Sequence, residues 1–197
     1  MMDFPAKTKV QLKDLLQMER ALYMPSGNYG KHKLRHSKAF SLYCALRALR
    51  EYEFCCHQRD TATSYFSRKY YSLKVIWLDR KRNILCEKAG IELTPEHIGP
   101  CVRIWHSGVV IYGHVGEGCV FHGNNVIGNK RSGSPDDVPR LGKRVDLGFG
   151  ACIIGKVEIA NDCVIGAGAV VTKSFLVPGT VIAGVPAKAI GQVTHNG

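Results

Sequence analysis

Residues 141–177 read, in sixes, LGKRVD, LGFGAC, IIGKVE, IANDCV, IGAGAV, VTKSFL, with Val177 opening the next unit. Leu141, Leu147, Ile153, Ile159, Ile165, Val171 and Val177 therefore hold one unbroken six-residue phase. Four residues after most of them comes a second small or branched apolar side chain: Val145, Ala151, Val157, Cys163, Ala169. Neither a helical period of 3.6 nor the alternation of a half-buried strand yields a strict six. A parallel β-helix does, because each six-residue unit is one short strand and one turn on a face of a prism. Three units close a coil, so residues eighteen apart stack at about 4.8 Å, the spacing of neighbouring strands. Leu141, Ile159 and Val177 are expected in one inward column, with Leu147 on Ile165 and Ile153 on Val171.

Upstream, the phase continues as Ile98, Ile104, Val109, Val115, Phe121 and Ile127. It breaks twice. One residue is missing between Ile104 and Val109, beside Trp105-His106-Ser107-Gly108, and the fourteen residues from Ile127 to Leu141 exceed two units by two. The excess falls in Asn129–Arg140, polar and rich in Gly and Pro, and is expected as a loop extruded from the coil, a place where function concentrates. Pro178-Gly179 and Gly184-Val185-Pro186 are expected to end the coil, with a frayed tail over 191–197.

Before residue 91 the texture is helical. Apolar residues at spacings of three and four predict helices over 7–22, from about Ser37 to His57, and over 62–89, with a loop at Pro25–Gly30. Of the 17 aromatic residues, 12 precede residue 98, a spacing that suits a core or an interface between subunits. Glycine takes over afterwards, with 18 of 21 in residues 98–197. The expected fold is α+β, mainly β: a helical region over 1–90, a β-helix over 91–190 and the tail.

The chain carries a formal charge of +11, and residues 1–97 hold most of it, with 18 Lys+Arg against 10 Asp+Glu. No Lys/Arg run is long enough for a nucleic-acid tail, so a solvated, partly interfacial helical surface is the simpler reading. Cys119, Cys152 and Cys163 sit inside the repeat as small core residues, which points to free thiols in a reducing cytoplasm rather than disulfides. No C-x-x-C pair suggests a metal, and no apolar run approaches a membrane span. A cytoplasmic protein is expected, at most peripheral at the inner face of the membrane.

The string Ile165-Gly166-Ala167-Gly168-Ala169-Val170-Val171-Thr172-Lys173, followed by Val181-Ile182-Ala183-Gly184-Val185-Pro186-Ala187-Lys188, resembles the hexapeptide-repeat acyltransferases. Gly90-Ile91-Glu92-Leu93-Thr94-Pro95, His106-Ser107-Gly108-Val109-Val110-Ile111 and Ile127-Gly128-Asn129, in that order, narrow the likeness. Together they resemble the serine acetyltransferase family, most of all its shorter branch among capsule and exopolysaccharide O-acetyltransferases. The resemblance is specific over about 90–190. It implies a left-handed coil, a homotrimer, and acetyl-CoA as acyl donor lying in a groove between subunits.

Moving acetyl from a thioester to an alcohol requires a base for the hydroxyl proton, and histidine titrates in the right range. Donors for the oxyanion are also needed, and a glycine-rich rung offers backbone N–H groups. His106 matches the family's catalytic histidine; a turn histidine packed on Trp105 is the plainer alternative. Glu92 falls, with a one-residue gap, where the family has the carboxylate that orients this base. His122 points outward and is expected beside His106, as an acceptor-binding or supporting residue, whereas His114 reads as a solvated corner residue. Trp105 replaces the family's Asp before the catalytic histidine, and Val138 replaces a second histidine in a His-Pro pair that handles the amino-acid substrate. Asp136 and Asp137 remain in that loop as acceptor contacts or as solvated turn residues. The resemblance implies that Gly150, Ala151, Gly168, Ala169 and Thr172 line the pantetheine and that Lys173 and Lys188 meet the nucleotide phosphates.

The departures at Trp105 and Val138 favour a saccharide hydroxyl as acceptor, with serine the second choice. A non-enzymatic trimeric scaffold with basic helices is a third reading. His106, His114 and His122 superficially invite a zinc-dependent γ-type carbonic anhydrase, but the close histidine pair of that family is missing, and no metal is expected.

Overall fold

The computed structural model describes residues 6–25, 28–95, 98–130 and 137–193. The chain divides into two compact units, Met1–Gly90 and Ile91–Gly197.

The first unit contains α1 (Lys9–Tyr23), α2 (Tyr29–Leu34), α3 (Lys38–Thr61) and α4 (Tyr65–Ala89). Thr8 starts α1 with a capping box: its hydroxyl accepts from Gln11 N, and the Gln11 side chain accepts from Thr8 N. At the far end of α4, Gly90 takes a left-handed conformation (φ 66°), which suits glycine as a helix stop. Tyr29 and Gly30 belong to α2, with Asn28 at its N-cap, rather than to a loop; Ser26 and Gly27 lie outside the described residues. Tyr29 packs edge-on against Phe40 and Tyr43, with ring centroids 5.6 and 6.4 Å away. Buried Leu42, Leu46 and Leu49 run along α3, and Phe54, Cys55 and Cys56 pack with Val75 and Leu78 of α4. Arg50 is buried between Glu19 (2.9 Å) and Glu53 (3.1 Å), so its charge is met from two sides. Phe66, Tyr70, Leu73 and Trp77 are exposed along α4. They are not part of this unit's core.

The second unit is a three-faced coil of short strands. They are β1 (Ile91–Leu93), β2 (Arg103–Ile104), β3 (Val109–Ile111), β4 (His114–Val115), β5 (Val120–Phe121), β6 (Val126–Gly128) and β7 (Arg140–Leu141). Next come β8 (Asp146–Leu147), β9 (Cys152–Ile154), β10 (Glu158–Ile159), β11 (Val164–Ile165), β12 (Val170–Val171), β13 (Thr180–Gly184) and β14 (Ala187–Gln192). The first sheet runs β1-β3-β6-β9-β12, the second β10-β7-β4, and the third β14-β13-β11-β8-β5-β2. All pairs are parallel except β13 with β14. From β2 to β12 successive strands thus visit the three faces in turn, as a six-residue unit requires.

Leu141 pairs with Ile159, Leu147 with Ile165 and Ile153 with Val171, eighteen residues apart in each case. Phe121, Ile127, Leu147, Ile153, Ile165 and Val171 are fully buried, which places the core in the axis of the coil. Three details differ from the sequence reading. Val177 leaves the column and is exposed, while Phe175 bridges Ile159 instead. Ser174 Oγ accepts from Glu158 N, and Val177 lies in the bend that runs into the turn at Pro178-Gly179.

Secondly, Ile111, not Val109, stands on Ile127. The step from Ile104 to Ile111 is one residue longer than a unit, and that from Ile111 to Val115 is two shorter. The net loss of one residue was visible in the sequence, but not its division into a gain and a loss. Val109 is still buried, in the column of small residues that continues through Asn125, Ala151 and Ala169.

Thirdly, the fourteen residues from Ile127 to Leu141 span a single step from the first sheet to the second, where a regular unit has six. The loop at 129–140 is therefore larger than a two-unit count suggests; its residues 131–136, with Asp136, lie outside the described residues. At the end of the coil, β14 folds back on β13 and runs through Gly191 to Gln192. Its antiparallel pairing covers the open edge of the third sheet.

Candidate active site

The corner that leads from the third sheet to the first repeats in every coil and carries His106, His122, Gly150 and Gly168. Its four levels are 105–108, 122–124, 148–150 and 166–168, stacked by backbone hydrogen bonds. Trp105 N donates to Phe121 O, His122 N to Leu147 O, and Gly148 N to Ile165 O. From buried strand residue to buried corner residue, the lower levels take four steps: Phe121 to Asn125, Leu147 to Ala151, Ile165 to Ala169. The top level takes five, from Ile104 to Val109. The gain within the phase slip is therefore an extra residue in this corner, and His106 is on it.

Trp105, His106, Ser107 and Gly108 are all exposed. Beneath His106 lies Gly123, where a Cβ would come within 2.7 Å of the His106 Cβ and 3.1 Å of the Phe149 ring. Gly123 also has φ 128°, which side chains rarely adopt. Only glycine fits this floor. Asn125 holds it from inside the coil: its Oδ1 accepts from Gly123 N (2.9 Å), and its Nδ2 donates to Gly148 O (2.8 Å). One buried amide thus ties two levels of the corner together.

The sequence places a histidine at His122, and the structure adds its partner. His122 Nε2 lies 2.9 Å from Asp146 Oδ1. Asp146 stands level with Val120 on the neighbouring strand. Glu92 is exposed in the middle of β1, opposite Val110. Among the described residues, no hydrogen bond or ion pair links Glu92 to His106. Asp137 Oδ1 accepts from Lys156 N (2.8 Å), so one carboxylate oxygen serves the loop's own structure. Val138 is buried. His114 lies on β4, opposite Arg140.

Below His106, the same corner is built of Gly148, Gly150, Gly166, Ala167 and Gly168, with Phe149 the one large residue. The Ala151 and Ala169 side chains point into the coil and are fully buried. Their carbonyls already accept from Val126 N and Cys152 N. Gly150 and Gly168 have positive φ (73° and 66°), and a Cβ on Gly168 would meet nothing within 4 Å. Thr172 and Lys173 are exposed one corner further round, after β12, and Lys173 Nζ lies 5.6 Å from the Phe175 ring centre. Lys188 is exposed on β14, opposite Ala183. The structure therefore gathers His106, His122, Gly150 and Gly168 on one stack of corners and leaves Thr172, Lys173 and Lys188 elsewhere on the coil.

Sequence reasoning missed Gly123, Asn125, Asp146 and Phe149. Asn125 did leave a trace, being polar at a position that is Ala151 and Ala169 in later coils. Among the described residues, no group of three or more His, Cys, Asp or Glu is arranged to hold a metal ion. No helix there is long and apolar enough to cross a membrane.

The arrangement is a parallel coil of hexapeptide repeats with an exposed histidine on a widened corner. No protein-family model matches the chain. The serine acetyltransferase of Mycobacterium tuberculosis is 35% identical over 113 residues, covering 52% of this chain and 46% of that protein. The structure of Neisseria gonorrhoeae serine acetyltransferase matches with a TM-score of 0.70 at 21% identity, covering 94% of this chain and 68% of that one. Its complex with serine matches at 0.67 and 19% identity, covering 93% and 70%. The Brucella abortus enzyme in complex with coenzyme A matches at 0.65 and 19% identity, covering 94% and 70%. At these identities the solved structures show a shared fold. The chain spans less than half the length of the curated relatives it matches.

Proposed function

We propose that this chain is an acetyl-CoA-dependent O-acetyltransferase of the serine acetyltransferase type. The observation that carries the reading is the position of His106, exposed on the widened corner at the head of a track of glycine and alanine. In this reading the acceptor hydroxyl lies against the imidazole, which takes its proton as the oxygen attacks the thioester carbonyl. The tetrahedral intermediate then expels the coenzyme A thiolate, and the imidazolium returns the proton to the sulfur. Glu92 is the orienting carboxylate of the proposal. The flat corners at Gly150 and Gly168 leave room for an extended pantetheine arm, with Lys173 and Lys188 as phosphate partners. The left-handed sense of the coil, the trimer and a cytoplasmic location belong to the same reading.

For the acceptor, the relatives favour serine: they are named for it, and the Neisseria structure was obtained with it. The chain's own surface supports a saccharide as second reading. Val138 is buried, so its side chain meets no acceptor. Trp105 and Phe149 are about half exposed, and the Arg103 guanidinium lies 3.8 Å from the Trp105 ring centre. Exposed aromatic plates beside hydrogen-bonding side chains suit a sugar ring, whose C–H faces are apolar and whose edge is polar.

Thiol release from acetyl-CoA, measured with L-serine and separately with a panel of sugars and nucleotide sugars, tests the proposal. Serine-dependent release supports the first reading, and release with sugars alone transfers it to the second. Absence of acceptor-dependent release with either class leaves a scaffold as the function and overturns the transferase.

A further inference from the structure

The level below the widened corner carries a second imidazole, and that one has a carboxylate partner in place. His122 Nε2 and Asp146 Oδ1 are 2.9 Å apart, with side chains 45% and 43% exposed. A carboxylate accepts, so Nε2 carries the proton and the lone pair of the neutral ring is on Nδ1. Both residues come from elements whose backbones are locked in register. His122 N donates to Leu147 O, and Asp146 pairs with Val120 and with Val164 on either side. Trp105 and His122, the residues that follow the paired Ile104 and Phe121, leave their strands side by side. Gly123, next after His122, is the floor under His106. The half-exposed His122 ring, held through Nε2, therefore stands one residue from the floor beneath the proposed base.

Resting on the transferase reading, we propose that His122 is a specificity-determining residue and that Asp146 is its positioning residue. Nδ1 of His122 accepts a hydrogen bond from a second donor on the acceptor, next to the hydroxyl that is acetylated. That donor is the α-ammonium N–H if the acceptor is an amino acid, or a neighbouring O–H if it is a sugar. Asp146 fixes the tautomer and the ring plane. No bond is made or broken at His122; His106 takes the proton.

Two measurements test this. Side-chain ¹⁵N NMR of the full chain reports the tautomer of His122: wild type is expected in the Nε2–H form, and Asp146→Ala in a mixture. Asp146→Asn keeps an oxygen acceptor and is expected to restore the wild-type spectrum. In steady-state kinetics with the acceptor found active, Asp146→Ala and His122→Ala are expected to raise the acceptor KM roughly 3- to 10-fold, one hydrogen bond's worth. The KM for acetyl-CoA and kcat stay within about twofold. With serine as acceptor the effect disappears on 3-hydroxypropionate, which lacks the ammonium; with a sugar it disappears on one deoxy analogue. An unchanged tautomer in Asp146→Ala, an unchanged acceptor KM, or an equal loss on the analogue each overturns the proposal. Absence of transfer by the wild type is instead a failure of the transferase reading, and the NMR measurement still decides whether Asp146 sets the His122 tautomer.

Discussion

The lower coils, from Leu141 to Val171, and the upper one, from Trp105 to Asn125, share a scaffold and a hydrogen-bond ladder, yet they offer a ligand different things. In the lower coils every corner takes the same number of residues, the inward corner positions are Ala, Val or Cys, and the outward corner from the third sheet to the first is Gly or Ala apart from Phe149. In the upper coil one corner has an extra residue, the inward position below it is Asn125, and the outward residues are Trp105, His106 and His122. Regular rungs can stack and provide a wall. A histidine stands out from that wall because one extra residue lifts its level and a glycine without Cβ lets it settle on the next one. The contrast is between a part selected for repetition and a part that departs from it at a few positions, each compensated by a specific neighbour.

The comparison breaks first at His106. Replacing it by Ala is expected to lower acetyl transfer by roughly 100- to 10,000-fold while circular dichroism stays that of the folded coil. Activity close to wild type would remove His106 from the mechanism. In the regular part, Leu147→Ala is expected to lower stability by about 2–5 kcal/mol, read from the urea unfolding midpoint, because the fully buried side chain leaves a cavity in the axis. Gly123→Ala sharpens the contrast, since its Cβ meets the His106 Cβ and the Phe149 ring. Displacement of the base is expected to cost about 100-fold in kcat/KM, with the fold retained. Asn125→Ala, at a position where lower coils have alanine, is expected to cost about 1–3 kcal/mol in thermal unfolding. It leaves the Gly123 N–H and the Gly148 carbonyl without their side-chain partner. A neutral result would make the polar substitution incidental.

The smallest effect is a pH dependence in the core. Burial pushes the Cys119 thiol up to about 12 from an ordinary 9.0. The folded state therefore prefers the protonated thiol, and its contribution is intact below about pH 9. It is lost as pH rises from there toward 12. Cys119→Ala is expected to flatten that part of the stability curve, measured by unfolding at pH 8 and pH 10.5.

How much could be read in advance follows from these same residues. The columns Leu141–Ile159, Leu147–Ile165 and Ile153–Val171 were legible because a repeat of six closes a coil at eighteen, and apolar residues in phase must share the axis. The corner at His106 was legible as a break of phase, though its extra residue and the shortening before Val115 were not separable by counting. The helices of the first unit were legible from spacing, but not that Phe66, Tyr70, Leu73 and Trp77 would be exposed, because apolar periodicity marks a face without saying what covers it.

Sequence alone determined the coil, its three faces, the helical unit before it and the corner on which to look for a base. Tertiary structure decided that Asp146 meets His122, that Gly123 carries His106 and that Asp137 serves the Lys156 amide. Gly123 and His106 follow the seventeen-residue register of Ile104 with Phe121; for Asp146 and His122 the reason is the fourteen-residue step before Leu141. It shifts the register across adjoining coils from eighteen residues to twenty-six, as Phe121 pairing with Leu147 shows. Side chains that touch across those coils therefore have no characteristic spacing in the sequence. Their contacts depend on which residues the loop leaves outside the ladder, and backbone pairing in three dimensions sets that.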